Sequence, residues 1–150
     1  MKGHIWLGSL AAGIALLVGS GGGAIAQSPA PAASAPEPQV INALPAVIQG
    51  TLQDGDAVLS SDNSLYDAYI FQGKAGDSVV IAMESNQFDT YLGVLDASGT
   101  VIGENDDSAQ GVTNSRLEIT LPRDGEYLVI ANGFDRTSRG NYSLQISIKE

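Results

Sequence analysis

Four oxygen-bearing side chains flank two short apolar runs, and they are the residues in this sequence best suited to chemistry. Asp89 precedes the run TYLGVLD, while Asn105, Asp106 and Asp107 lie at the end of the run TVIGENDD. Carboxylate and carbonyl oxygens are the ligands that Ca²⁺ prefers. Two carboxylates at a fixed separation can instead act as acid and base in glycoside hydrolysis. Asp and Asn also cap turns through hydrogen bonds to the backbone, which needs no ligand.

The runs between these residues predict a β-hairpin. Residues 90–96 and 100–105 are separated only by the turn residues ASG, and a tight turn makes two strands antiparallel neighbours. Asp89 and the group Asn105, Asp106 and Asp107 should therefore lie at the same end of a sheet. The sequence contains neither an EF-hand pattern nor glycine-aspartate nonapeptide repeats. A Ca²⁺ site, a catalytic pair and turn capping all remain open for this cluster.

The first 26 residues have the features of a secretory signal peptide. Lys2 and His4 give a basic start, residues 5–18 form an apolar run, and AIA at 24–26 fits a small-x-small cleavage site. The apolar run is shorter than the ~20 residues of a bilayer-spanning helix, so stable membrane insertion after cleavage is not expected. Residues 27–45 contain repeated proline, alanine and serine and predict an extended linker. The chain is therefore predicted to be exported, to the periplasm or outside the cell.

Cleavage after Ala26 would leave no histidine, cysteine or tryptophan in the chain. Ser-His-Asp and Cys-His catalysis both need an imidazole base, so both are excluded for the processed protein. Zinc, copper and haem sites of the usual kinds also lose their imidazole and thiolate ligands. The fold must be stable without disulfides, because the sequence has no cysteine.

The charge of the chain narrows the class of partner further. Removing Lys2 leaves six basic residues against 17 acidic ones, a net charge of −11. Such a protein repels nucleic acid and anionic lipid. A hard cation such as Ca²⁺ is still a plausible partner.

From residue 46 onward, short β-prone runs alternate with turn residues. In residues 115–121 and 142–149 apolar and polar residues alternate with period two, which is typical of strands with one buried face. We expect residues 46–150 to form one all-β domain, an antiparallel β-sandwich of about eight strands. The predicted strands are 47–52, 66–72, 78–85, 90–96, 100–105, 115–121, 126–133 and 141–149.

The tyrosines allow two interpretations. They could form a stacking platform for sugars or peptides, or they could pack in the core or at its rim. Most fall at strand positions that alternate with polar residues, which favours packing. The five are Tyr66, Tyr69, Tyr91, Tyr127 and Tyr142.

Six motifs in order resemble the bacterial pre-peptidase C-terminal domain, a module often appended to secreted proteases. They are DAYIF (67–71), AGDSVVIAMES (75–85), FDTYLGVLD (88–96), ENDD (104–107), NSRLEITLPRDGEYLVIA (114–131) and GNYSLQI (140–146). The resemblance implies a jelly-roll-like sandwich that is not itself catalytic and that assists secretion, localisation or substrate binding. Relatives in clostridial collagenases bind Ca²⁺ and a fibrous substrate.

This sequence departs from those calcium-binding relatives at one point. Their metal site also uses an acidic segment before the first strand, which here reads PEPQVINALP with Glu37 as its one acid. The resemblance thus leaves Asp89, Asp106 and Asp107 as the matching metal ligands.

The sequence therefore predicts a non-catalytic exported binding or accessory module, with loops that Ca²⁺ could stabilise. Its expected partner is a protein or polysaccharide at the envelope or outside the cell, a secreted peptidase in trans among them. The alternatives are a structural envelope protein without a specific ligand and a carboxylate-pair glycoside hydrolase. An exposed tyrosine cluster would favour binding over the structural alternative. A deep cleft with two facing carboxylates would favour the enzyme.

Overall fold

A computed structural model describes residues 36–107 and 111–150 of the chain. The predicted signal peptide and residues 27–35 of the predicted linker lie outside this part. In the described residues the chain forms β-strands joined by turns and loops, and none of it forms a helix long and apolar enough to cross a membrane. The strands are β1 (Gln39–Ile41), β2 (Ala46–Leu52), β3 (Ala57–Val58), β4 (Leu65–Gly73), β5 (Ser78–Glu84), β6 (Thr90–Asp96), β7 (Val101–Asn105), β8 (Ser115–Thr120), β9 (Gly125–Gly133) and β10 (Gly140–Ile148).

The strands form two sheets that face each other. Sheet A has the order β1-β4-β9-β6-β7, and β3 pairs with β4 at its margin. Sheet B has the order β2-β10-β5-β8. The predicted all-β sandwich is confirmed, and each of the eight predicted strands matches an observed strand to within one residue at either end.

Two strands were not predicted. The two-residue strand β3 is too short for a period-two pattern, and β1 lies in the segment predicted to be linker. β1 pairs in parallel with β4, with Val40 opposite Ile70, so the sandwich is not purely antiparallel. A three-residue strand whose partner is 30 positions away carries no local signal of its own, because its ladder depends on tertiary contact.

Alternate residues of both sheets point into a common core. Leu92 and Val94 of β6 face Ile81 and Met83 of β5, and all four side chains are fully buried in one apolar cluster. Each such side chain contributes about 1.5–3 kcal/mol by leaving water. A smaller apolar cluster lies on the other side of sheet A, where Ala57 and Leu59 cover side chains of the sheet.

One polar connection crosses the core between the sheets. The Tyr142 hydroxyl donates a hydrogen bond to Asp67 Oδ2 (2.5 Å), and the Tyr69 hydroxyl lies 2.6 Å from the Tyr142 hydroxyl. Gly50 makes room for this ring, since a Cβ at that position would lie 2.2 Å from Tyr142 Cζ. Sheet B is thereby joined to β4 of sheet A through a satisfied buried polar network.

Candidate functional site

The acidic residues around the β6–β7 hairpin lie at one end of sheet A. The two strands pair antiparallel with Leu92 opposite Asn105, which confirms the predicted hairpin. Asp89 precedes β6 and Asp106 follows β7, so both lie beyond the paired region at the same end. Asp107 is exposed there.

Several oxygens in this acidic end are already used inside the fold. Asn105 Oδ1 accepts a hydrogen bond from the backbone N–H of Arg116 (3.3 Å), and the Asp106 carbonyl accepts one from Ser115 Oγ (2.9 Å). The Asp89 carbonyl accepts one from the N–H of Phe134 at 2.8 Å. Asn105 and Asp106 therefore join sheet A to the edge strand β8 of sheet B. The side-chain oxygen of Asn105 is therefore already hydrogen-bonded to a backbone N–H group rather than facing open solvent.

Tyr91 lies among several negative charges at this end. Its hydroxyl donates a 2.6 Å hydrogen bond to Glu104 Oε2. Burial raises the pKa of Tyr91, and the charges of Glu104, Asp106 and Asp62 raise it further. Asp62 comes from the loop before β4, and no local pattern predicts that its charge acts on Tyr91.

The oxygen donors of the acidic end have the chemical type that suits Ca²⁺. Within residues 36–107 and 111–150, however, no three acidic side chains come together in an arrangement that could hold a metal ion.

Elsewhere in the chain, aspartates cap turns. Asp96 Oδ1 accepts hydrogen bonds from the Ser98 hydroxyl and from the backbone N–H groups of Ser98 and Thr100, and Arg123 lies 3.0 Å from Oδ2. The Ser98 hydroxyl first, then the two N–H groups and the Arg123 charge, hold the pKa of Asp96 below its ordinary value. Asp135 caps the turn at Thr137 in the same way. Turn capping is thus an established use of aspartate in this fold.

All five tyrosines are buried, with exposed fractions of 7% or less. The interpretation of these residues as packing is therefore confirmed. Phe71 and Tyr127 stack with their ring centroids 5.6 Å apart, and Phe88 meets Tyr142 edge to face. A tyrosine platform for stacking sugars is not formed in the described part of the chain.

The outer face of sheet B carries two adjoining hollows instead. One, of about 360 Å³, is lined by polar side chains at the β5–β10 end of the sheet. The other, of about 250 Å³, lies over the middle of the sheet. Together we call them the sheet B groove. The first hollow is lined by Gln49, Glu84, Ser85, Asn86, Asn114, Asn141, Tyr142 and Ser143, and the second by Val80, Ala82, Arg116, Glu118, Gln145, Ser147 and Lys149.

The shape of the groove follows from residue size. Small side chains lie in its floor, among them Ala82 of β5 and Ser143 and Ser147 of β10, while longer ones such as Arg116 stand along β8. Sequence reasoning missed this groove because outward polar positions in a strand are usually only solvated. The signal that could have found it is the run of small outward residues on the two central strands.

The groove is close to neutral in a strongly acidic protein. Its lining holds two acids, Glu84 and Glu118, and two bases, Arg116 and Lys149, whereas the whole chain has a net charge of −10. Lys149 Nζ donates to Glu118 Oε1 at 2.6 Å, and this hydrogen bond with the lysine charge holds the pKa of Glu118 below its ordinary value. Most of the remaining lining is amide and hydroxyl, which can both donate and accept hydrogen bonds.

Comparison with known proteins agrees with this architecture. A comparison with curated protein sequences gives no significant match. A similar solved structure is the pre-peptidase C-terminal domain of a collagenase from Bacillus anthracis, with 18% identity, a TM-score of 0.58, and coverage of 74% of this chain and 95% of that one. A periplasmic inhibitor of g-type lysozyme from Aeromonas hydrophila has 18% identity, a TM-score of 0.50, and coverage of 74% and 96%.

The sequence itself carries the family signature. Residues 65–133, from the start of β4 to the end of β9, match the profile of the bacterial pre-peptidase C-terminal domain. This span contains five of the six motifs in full, and the matched strands form most of sheet A together with β5 and β8. Residues 65–133 of the β-sandwich are therefore identified as a bacterial pre-peptidase C-terminal domain.

Proposed function

We propose that this chain is a non-catalytic, exported binding or accessory module that docks its partner in the sheet B groove. The groove carries the proposal. It is a concave, nearly neutral surface rich in hydrogen-bonding amides and hydroxyls, on the sheet face that nothing else in the described chain covers. Membership of the family and the N-terminal sequence pattern support an accessory role after export.

The partner is a protein or a polysaccharide outside the cytoplasm, and a secreted peptidase acting in trans is one such protein. Side-chain amides such as those of Gln49, Asn114 and Asn141 pair well with peptide groups and with sugar hydroxyls. Because the tyrosines are buried, a sugar would lose the aromatic stacking that usually accompanies carbohydrate binding. The lining therefore favours a protein partner over a polysaccharide.

Catalysis has little support from the groove. Glu118 is paired with Lys149, and Glu84 is the other acid in the lining. The structural alternative, an envelope protein without a specific ligand, is the main competitor.

A binding experiment with a matched pair of variants separates these alternatives. Ser143→Arg puts a long side chain into the groove floor, whereas Gln72→Arg introduces the same arginine at an exposed position on sheet A. The purified protein is tested against immobilised envelope proteins and against insoluble peptidoglycan, cellulose and chitin. We expect a partner that binds the wild type and Gln72→Arg but not Ser143→Arg. Equal binding by both variants would place the site elsewhere, and no binding by the wild type would favour the structural role.

Calcium binding at the acidic end stays a prediction. If Asp89, Asn105, Asp106 and Asp107 hold Ca²⁺, the ion stabilises the native state by ~2.7 kcal/mol at a hundredfold excess over its dissociation constant. A melting curve in Ca²⁺ should then rise above that in chelator, and Asp106→Ala or Asp107→Ala should remove the rise. An unchanged midpoint would leave these residues with their structural hydrogen bonds alone.

A further inference from the structure

Strand β2 is an open edge of sheet B. Its seven residues pair continuously with β10, from Ala46 opposite Ile146 to Leu52 opposite Gly140. No other strand of the described chain pairs with β2. Val47 is 66% exposed at this edge. One row of backbone N–H and C=O groups therefore faces away from β10, which is the geometry that recruits another strand.

The other sheet edges are protected in the ways that usually prevent such pairing. β8 carries Arg116 and Glu118, and Asn105 already binds the N–H of Arg116. β7 is an edge strand of sheet A and carries the charged residue Glu104. Its pairing with β6 is interrupted by a register shift between Val94 and Leu95. β1 has only three residues. β2, by contrast, reads AVIQGTL and has neither a charge nor a proline.

The chemistry of β2 is complementary to itself. Gln49 is the central residue of the seven, so an antiparallel partner related by a two-fold axis at Gln49 would pair the strands along their full length. Val47 would lie opposite Thr51, a pair of β-branched residues, and the two Gln49 amides would face each other on the outer side. Val47, Gln49 and Thr51 all belong to this exposed outer side of the strand.

Charge also favours a second copy at this edge. A chain with a net charge of −10 resists self-association wherever acids meet. The same two-fold axis would set Asp54, just past the end of β2, near Leu44 of the other copy, where it meets no like charge. Next to β2, the outward residues Asn141, Ser143 and Gln145 of β10 are uncharged.

We propose that two copies of this chain associate through antiparallel pairing of their β2 strands, which joins two sheet B faces into one eight-stranded sheet. The pairing would set two grooves side by side on the same face. A single strand pair buries less surface than the 1,200–2,000 Å² of a standard stable interface. The association is therefore weak and depends on concentration.

Sedimentation velocity of the purified protein from about 5 to about 500 µM tests the proposal. The wild type should shift from monomer toward dimer over this range. Gln49→Lys places two lysines opposite each other on the axis, and like charges in that position repel. We expect it, and Gln49→Glu, to weaken association at least about tenfold, a loss of about 1.4 kcal/mol. An equimolar mixture of the two variants should associate again, because each lysine then faces a glutamate.

Thr120→Lys is the matched control, since it adds the same charge at an exposed position on the opposite edge strand β8. It should associate like the wild type. Gln49 is exposed, so the variants should melt within a few degrees of the wild type, which checks that they fold. A wild type that stays monomeric at about 500 µM would overturn the proposal. So would a Gln49→Lys variant that associates as strongly as Thr120→Lys, or a mixture that fails to recover.

Discussion

The two outer faces of the sandwich differ in what they carry and in whether they are covered. The outer face of sheet A holds Tyr66, Leu95 and Ile130, and residues of the segment after β2 pack over them as a second small core. The outer face of sheet B has small and polar residues such as Ala82, Ser143 and Ser147, and it stays open as a groove. Antiparallel sheets commonly have one face in contact with water, but here part of the outer face of sheet A is covered as well.

This difference means that the outer faces of the two sheets contribute differently to stability. An apolar outer face costs free energy unless it is covered, so the chain covers it and gains stability. A polar outer face needs no cover and contributes little to stability. Substitutions on the outer face of sheet B should therefore cost less stability than substitutions in the covered part of sheet A.

The largest expected effect comes from truncating the covered face. Leu95 is 1% exposed in the outer cluster of sheet A. Leu95→Ala should lower the free energy of unfolding by about 2–5 kcal/mol, because it removes buried methyl groups and leaves a cavity. Gln145→Ala, on the open face of sheet B, should change it by no more than about 0.5 kcal/mol. Urea denaturation measures both, and equal losses would contradict the comparison.

The next effect tests how tightly the inner face of sheet B is packed beneath its open outer face. A Cβ at Gly50 would lie 2.2 Å from Tyr142 Cζ and 2.3 Å from its hydroxyl. Gly50→Ala should therefore displace the Tyr142 ring from Asp67 and cost about 1–3 kcal/mol of overpacking. Gln49→Ala, one position along the same strand but exposed, should cost little. A neutral Gly50→Ala would show that the ring can move aside freely.

The sequence was sufficient for the features that depend on local pattern. Alternation in residues 115–121 and 142–149 marks buried and wet faces, and the ASG turn fixes the β6–β7 hairpin. The same rules place Asp89 and Asp106 at one end. They work because a strand with one buried face must alternate, whatever its partners are.

Features that depend on tertiary contact could not be predicted in this way. β1 becomes a strand only beside β4, and Asp62 reaches the surroundings of Tyr91 from a distant loop. The amide oxygen of Asn105 accepts a hydrogen bond from the backbone N–H of Arg116, and the spacing of residues in the sequence does not predict this contact. The groove likewise exists because small residues of two non-adjacent segments, β5 and β10, lie next to each other.

Asp67 offers a smaller effect, at the bridge between the two sheets. Burial raises the pKa of Asp67 above its ordinary value of 3.8, the Asp56 charge adds to this, and the Tyr142 hydrogen bond opposes it. A raised folded-state pKa means that the folded protein loses stability as the pH rises from about 3.8 through that pKa. Asp67→Asn has no such charge to bury. Its stability relative to the wild type should therefore increase from about pH 4 to about pH 7.

Urea denaturation of both proteins across that pH range checks the sign. A difference that stays constant with pH would mean that Asp67 keeps its ordinary pKa in the folded protein. A difference that runs the other way would mean that the Tyr142 hydrogen bond outweighs burial. Asp96, whose pKa is lowered, gives a control of opposite sign in a lower pH range, because Asp96→Asn should lose stability relative to the wild type as the pH rises toward about 3.8 and should change little above it.

The smallest effect is expected on the open face itself. Lys149 and Glu118 form a 2.6 Å ion pair with both side chains about half exposed, at 56% and 46%. Lys149→Ala should raise the pKa of Glu118 toward its ordinary value of 4.5, because it removes the hydrogen bond and the charge that lower it. Carboxyl chemical shifts followed by NMR during a pH titration would measure this change. The melting midpoint should scarcely move, since exposed ion pairs contribute little to stability. A shift in the Glu118 titration without a loss of stability would show that these charges do not stabilise the fold and are available for a partner. A large drop in the melting midpoint would show that the outer face of sheet B stabilises the fold, as the outer face of sheet A does.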